Sequence, residues 1–364
     1  MSYLVRSYGD TDFITGLRCI AATMVIVIHT AALRDFGTLG GIVTDNGKFG
    51  VQIFFVISGF SIARTYRSAG AFRPYFARRL LRIAPLYYLV VTTVFVLILG
   101  GVLPRPYWMT LYDSAPDLYN YLMHISFFSA WDARVANSLI GLEWSIPIEV
   151  FWYALMPLLL PIPGAPRRVA AALVALLLVS GLTRAGSHLW LPPHADHFLP
   201  LTYGAYFYLG ALAERMRAPA QRRGVQWCRR ATWGAAALFA VGLGTDTGFN
   251  AAILGLATAA LIAVRPGGAG HRGFLCWRPV LLLGSISYSL YLLHPFAIHL
   301  VAGLWPEEAR VALLFFAAAF LVTAAISIIT YSLVEYPFNR VGVRLFGQPR
   351  RGAMMPAPPS GPVR

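Results

Sequence analysis

The chain is 364 residues long, 57% hydrophobic and 12% charged, with a mean hydropathy of +0.61. That composition leaves too little polar side-chain surface to coat a soluble globule of this size. The net charge of +15 does not point to nucleic acid, because the basic residues lie between the apolar stretches and form no single patch.

The apolar stretches have the roughly 17–25 residues that a membrane helix needs. They are broken by arginine and proline and do not alternate polar with apolar, which favours helices over a β-barrel. The predicted fold is all-α, a polytopic transmembrane bundle of about ten spans near 12–33, 49–67, 82–101, 143–163, 169–186, 198–214, 231–246, 249–264, 280–303 and 310–334. With both termini cytoplasmic, 24 of the 30 basic residues fall inside and six (Arg34, Lys48, Arg105, Arg134, Arg184, Arg310) outside, as the positive-inside rule requires. Residues 1–346 then form the membrane domain, and 347–364, rich in proline, glycine and arginine, a disordered cytoplasmic tail. Asp10 and Asp12 precede the first span and no small-residue cleavage site follows it, so that helix is expected to be retained. Cys19, Cys228 and Cys276 have no metal-ligand spacing, and neither a metal nor a structural disulfide is expected.

The first span carries Arg18 and His29. Eleven steps of 100° bring them to within about 20° of one face, about 16 Å apart along the axis. An ionisable group in a span is costly unless it faces a cavity or a partner, although an arginine can also snorkel and a histidine can bond a neighbouring helix. In the second span, Gly50 to Phe60 includes Ser58 and Gly59, which admit close approach of a ligand or of another helix. Arg73, Arg78, Arg79 and Arg82 crowd the start of the third, before Pro85. Their guanidinium forks match phosphate oxygens, and a basic inside loop is also what topology alone demands.

The stretch 102–142 is rich in tyrosine and tryptophan and is expected to lie along the interface, with a short element near 121–131 that does not span. The fourth span opens on Glu143-Trp144-Ser145-Ile146-Pro147-Ile148-Glu149. Pro147 suits a first helical turn, which places Glu149 near the positive end of the helix dipole, and Glu143 reads as an interface residue. The ninth contains Ser285-Ile286-Ser287-Tyr288-Ser289-Leu290-Tyr291-Leu292-Leu293-His294-Pro295, and Glu335-Tyr336-Pro337-Phe338 closes the tenth. His29, Glu149 and His294 are expected at one depth toward the outside, and Arg18 with the Arg78 to Arg82 cluster at a basic cytoplasmic level.

In this order the motifs resemble the acyltransferase-3 family of membrane acyltransferases over about residues 10–340. They are Arg-x10-His, GV-x-IFFVISGF, RRLLRIAP, WSIPIE-x-FWY, SYSLYLLHP and VEYPF. The resemblance implies an integral membrane O-acyltransferase of the bacterial cytoplasmic (inner) membrane. Such an enzyme moves an acyl group, commonly acetyl, from cytoplasmic acyl-coenzyme A to a hydroxyl of a carbohydrate or lipid-linked carbohydrate acceptor, such as exopolysaccharide or lipopolysaccharide. In the family the arginine and histidine that match Arg18 and His29 are functionally important. Gln52 stands where many members have an acidic residue, and no hydrolase-like domain follows the membrane part, which suits a chain working alone or with a separate partner.

On this basis His29 is the expected general base, with Glu149 orienting its imidazole. Arg18, Arg78, Arg79 and Arg82 are expected to hold the phosphates of acyl-CoA, commonly acetyl-CoA, as co-substrate. Ser58, Trp144, Tyr291 and His294 are expected to face the acceptor, and no metal takes part. An acyl-histidine intermediate remains a competing route. A transporter or flippase of a lipid-linked sugar is the competing class, since it too needs polar groups in a helical core. The lipid bilayer is the other expected partner, nucleic acid is not one, and oligomeric state is left open.

Overall fold

The computed structural model describes residues 9–161, 165–266, 273–306 and 311–346, so the expected tail from 347 lies outside the described residues. Every regular element among them is helical. The first half contains α1 (Asp12–Thr30), α2 (Gly37–Asp45), α3 (Gly50–Ala69), α4 (Phe72–Leu99), α5 (Tyr107–Leu111), α6 (Leu118–Ile125) and α7 (Ser145–Leu159). The second half contains α8 (Pro166–Trp190), α9 (Gly204–Gln221), α10 (Val225–Gly244), α11 (Asn250–Val264), α12 (Arg278–Ser285), α13 (Ser287–Leu304), α14 (Ala312–Thr330) and α15 (Tyr336–Phe346).

Five helical runs are long and apolar enough to cross a membrane: α1, the continuous run Arg34–Ala69, α4, Pro166–Leu189 in α8, and Ala312–Phe346. The pair α12 and α13 makes a sixth if the two are one span, bent by 76°. The shorter helices α7 and α11 are also apolar. Each apolar stretch of the sequence coincides with one of these helices or with α9 or α10. Between α4 and α7, α5 and α6 have only five and eight residues, well below a membrane crossing.

Two boundaries differ from the hydropathy reading. α4 begins at Phe72, not near 82, because Tyr75, Arg79, Ile83 and Leu86 recur at helical spacing and bury one face against the bundle. Arginine lowers hydropathy there without interrupting the helix. The ninth stretch is not one straight helix but breaks between Ser285 and Ser287.

The most intimate helix contact joins α3 to α9. A Cβ on Gly59 would stand 1.8 Å from the Phe207 carbonyl oxygen, and one on Gly210 would stand 1.8 Å from the Val56 carbonyl oxygen. The two glycines therefore let each backbone press into the other. Beside them Phe207 stacks on Phe55 and on Trp152 of α7, with ring centroids 4.8 and 5.7 Å apart. Replacing Gly59 by Val should force the pair apart and lower stability by about 1–3 kcal/mol. Thermal unfolding of the detergent-solubilised protein checks this, and an unchanged midpoint would contradict the contact.

Candidate active site

The site is built where α1, α3, α4, α7 and α13 meet. α3 runs antiparallel to α1, with Gly50 against Ala21 and Val25, and Ser61 against Arg18. Arg18 donates from Nη2 to Ser61 Oγ at 3.1 Å, and Arg79 donates from Nη2 to Thr65 Oγ1 at 2.7 Å. Serine and threonine on one face of α3 thus hold two guanidinium groups at neighbouring levels.

Two cavities join at these arginines. One, of about 330 Å³, is polar and lined by Thr11, Thr15, Ser61, Thr65, Asn339 and Glu335, among others. The other, of about 60 Å³, is lined by Ser58, Ser145, Glu149, Tyr153, Tyr288 and Tyr291, among others. Arg18, Arg79 and Arg82 line both, so they form a neck between a vestibule and an inner chamber. The chamber is by far the narrower of the two. Arg79 is buried, its guanidinium lies over the Tyr153 ring at 5.2 Å, and its Nε has no hydrogen-bond partner among the described residues.

Glu149 supplies a carboxylate beside this neck. Its Oε1 accepts from Ser58 Oγ and from Tyr153 Oη, the latter at 2.6 Å. This corrects the expectation that Glu149 shares the depth of the histidines and orients His29. Ser145, the first residue of α7, pairs with Tyr291 Oη at 2.8 Å, so α7 starts already inside the bundle. One further turn carries Glu149 down to the arginines and away from both imidazoles.

The histidines pair with each other. His29 lies in the last turn of α1, which ends at Ala31 with a left-handed φ of 53°, and its side chain reaches the protein surface. Its Nδ1 is 2.7 Å from the Val25 carbonyl oxygen, and His294 Nδ1 is 2.7 Å from that of Tyr291. A carbonyl can only accept, so in each neutral ring the proton sits on Nδ1. His294 Nε2, a lone pair, lies 3.2 Å from the same His29 Nδ1, a second and longer acceptor for the one proton that Val25 receives, and His29 Nε2 carries that ring's lone pair. His294 is three residues beyond Tyr291 on α13, which puts the pair about 4.5 Å past the chamber wall.

Of the residues singled out in the sequence, Arg18, Arg79, Arg82, Ser58, Glu149 and Tyr291 therefore surround one chamber, and His29 and His294 sit one step beyond it. Two others lie elsewhere. Arg78, about 100° around α4 from Arg79, donates to the Pro74 carbonyl and faces Gly342 of α15. Trp144 packs with Phe55, Phe198 and Tyr203, at ring-centroid distances of 6.4, 6.0 and 5.6 Å, and lines neither cavity.

Two glutamates matter more than the sequence indicated. Glu143 is not an interface residue but wholly buried. Its Oε1 accepts the Leu139 N–H at 2.6 Å, and its Oε2 accepts those of Ile140, Gly141 and Leu142 at 3.1, 2.7 and 3.0 Å, with His124 Nε2 3.5 Å from Oε1. The loop is wound around this carboxylate, and Leu142 in turn accepts from Tyr291 Oη at 2.8 Å. Glu335 ends a π-helical turn, Tyr331–Glu335, between α14 and α15. Its buried carboxylate accepts from Ser289 Oγ, which also receives Thr330 Oγ1 at 3.1 Å. That places a carboxyl group at the helix end where the broken span restarts. A glutamate inside each apolar motif was the available signal.

Fold and site together define a helical membrane protein with a cluster of arginines between two cavities and a histidine pair beside them. The chain belongs to the acyltransferase-3 family: residues 11–332 match its model, described as an acyltransferase domain. It is 25% identical over 368 residues to Nodulation protein 10 of Rhizobium leguminosarum bv. viciae, covering 93% of this chain and 96% of that protein. It is 26% identical over 346 residues to the "Putative membrane-bound transacylase BcsY" of Komagataeibacter xylinus, covering 88% and 81%. A 166-residue match at 30% identity to Regulator of hypoxia-inducible factor 1 of Caenorhabditis elegans covers 43% of this chain and 32% of that longer protein. No solved structure gives a significant match.

Removing the Glu143 carboxylate leaves four backbone donors without an acceptor. Glu143→Ala should cost at least about 1–3 kcal/mol, read as a lower thermal midpoint. A midpoint equal to that of the parent chain would show that the loop does not depend on it.

Proposed function

We propose that this protein is an integral membrane O-acyltransferase that uses acyl-CoA, in the first instance acetyl-CoA, as donor and a carbohydrate hydroxyl as acceptor. The observation that carries the reading is the neck: three arginines shared by a roomy vestibule and a narrow chamber, with a histidine base one step further on. In this reading the vestibule opens to the cytoplasm, about ten spans enclose the site, both termini are cytoplasmic, and the membrane is the bacterial inner membrane. The nucleotide and its phosphates stay with Arg18, Arg79 and Arg82, and the thin pantetheine arm enters the chamber. His29 Nε2 takes the proton of the acceptor hydroxyl as its oxygen attacks the thioester carbonyl. The C–S bond breaks, and the thiolate leaves to be protonated.

His294 is then the orienting partner. Its Nε2 lone pair shares the His29 Nδ1–H with the closer Val25 carbonyl, and both contacts strengthen when His29 becomes charged at Nε2. Glu149 acts on the arginines as a counter-charge and not on the base. The similarity of the chain to a putative membrane-bound transacylase supports acyl transfer as the reaction.

Mass spectrometry of surface glycans from cells expressing each variant at equal level tests the assignment. His29→Ala should remove the O-acyl product, a loss of about 10²–10⁴ in rate. His294→Ala should lower kcat by less and leave the KM for acyl-CoA unchanged, whereas Arg82→Gln should raise that KM. Acylation that persists in His29→Ala cells overturns the base. Purified protein that moves a lipid-linked sugar without acyl-CoA and forms no O-acyl product would replace transfer with transport.

A further inference from the structure

A third cavity, of about 620 Å³, lies between α1, α10 and the end of α11. α1 contributes Leu17 and Ile20, which sit about 100° and 160° around the helix from Arg18, so this cavity backs onto the charged neck without joining it. Ala236, Phe239 and Leu261 continue the wall, which is mostly hydrocarbon.

Two cations break that pattern. Arg229, in the second turn of α10, and Arg265, just past α11, both line the cavity. The two helices are antiparallel, with Gly242 near the end of α10 against Ile253 and Leu254 near the start of α11, so both guanidinium groups stand at one end. Phe239 lies ten residues along α10 from Arg229, about 15 Å away. Among the described residues no carboxylate lines the cavity. Arg265 lies over the Phe13 ring at 5.1 Å, and Arg229 is exposed. At the rim Trp233 is 73% and Phe274 58% exposed, an aromatic pair of the kind that sits at a headgroup boundary.

A cavity with two uncompensated cations at one end and about 15 Å of apolar wall behind them has the shape and polarity of an amphiphile. We propose that it is a binding site for one anionic phospholipid of the surrounding bilayer, with the phosphate between Arg229 and Arg265 and an acyl tail along Leu17, Ile20, Ala236 and Phe239. Free phosphate would satisfy the arginines and leave the wall bare, and a choline headgroup would bring a third cation beside two. The site is separate from the proposed reaction and does not depend on it.

The test uses the full chain in nanodiscs of equimolar phosphatidylglycerol and phosphatidylcholine with the same acyl chains, extracted into detergent and analysed by native mass spectrometry. The expected result is one retained phosphatidylglycerol per chain, preferred about tenfold or more over phosphatidylcholine. Arg229→Gln with Arg265→Gln should bring the preference to parity, and Arg229→Gln alone, at an exposed position, should reduce it without endangering the fold. Ala236→Phe should fill the tail slot and remove the retained lipid with both arginines in place. Arg222→Gln with Arg223→Gln, outside the cavity, should leave the preference intact. Equal retention of the two lipids by the parent chain would overturn the proposal. So would an undiminished preference in the Arg229 and Arg265 variants, or release of the phosphatidylglycerol by excess inorganic phosphate.

Discussion

Three guanidinium groups around a neck inside an apolar bundle are the constraint on which the rest of the structure depends. A charge in such a setting is tolerated only with solvent, a counter-charge or hydrogen-bond acceptors at hand. The bundle supplies all three. A polar-lined cavity lies on the vestibule side, Glu149 stands opposite, and Ser61 and Thr65 of α3 accept from Arg18 and Arg79. The helix arrangement follows from this need: α3 has to run between α1 and α4 with its hydroxyls facing them, and α7 has to start deep enough to bring a carboxylate down to their level.

Lowering α7 moves the burden to the loop before it. A chain that enters a bundle without being helical exposes backbone N–H groups to an apolar interior, and each needs an acceptor. Glu143 meets four of them at once, and Tyr291 ties the same turn to α13. The broken span meets the same problem at Ser285–Ser287, where Glu335 and Ser289 sit at the restart. Both buried glutamates therefore stabilise interruptions in regular structure, and both interruptions border the site.

Helix positions were legible in the sequence because hydropathy reports burial in an apolar medium directly. The arginine set was half legible. Residues spaced three and four apart on α4 share a face, so Arg79 and Arg82 could be told from Arg78 only by asking which face Tyr75 and Ile83 bury. The histidine pairing of His29 with His294 joins residues 265 positions apart and could only be inferred from equal depth. Glu149 was misplaced because depth had been counted from the membrane surface, whereas α7 starts below it. The role of Glu143 was invisible for a different reason. Four N–H groups converge on one carboxylate only when the backbone turns in a particular way, and no residue type announces that turn.

The reciprocal glycines of α3 and α9 carry a consequence for how the chamber can open. With each backbone pressed into the other, neither helix can slide or roll without collision at Val56 or Phe207, so this pair serves as a fixed axle. Beside the break Gly284 of α12 is pressed in the same way against the Thr15 carbonyl of α1, and α13 beyond it is held through Tyr288, Ser289, Tyr291 and His294. That half-helix carries one imidazole of the histidine pair and one wall of the narrow chamber on the same rigid arm, so the axle and the arm fix the distance between the arginines and the imidazoles.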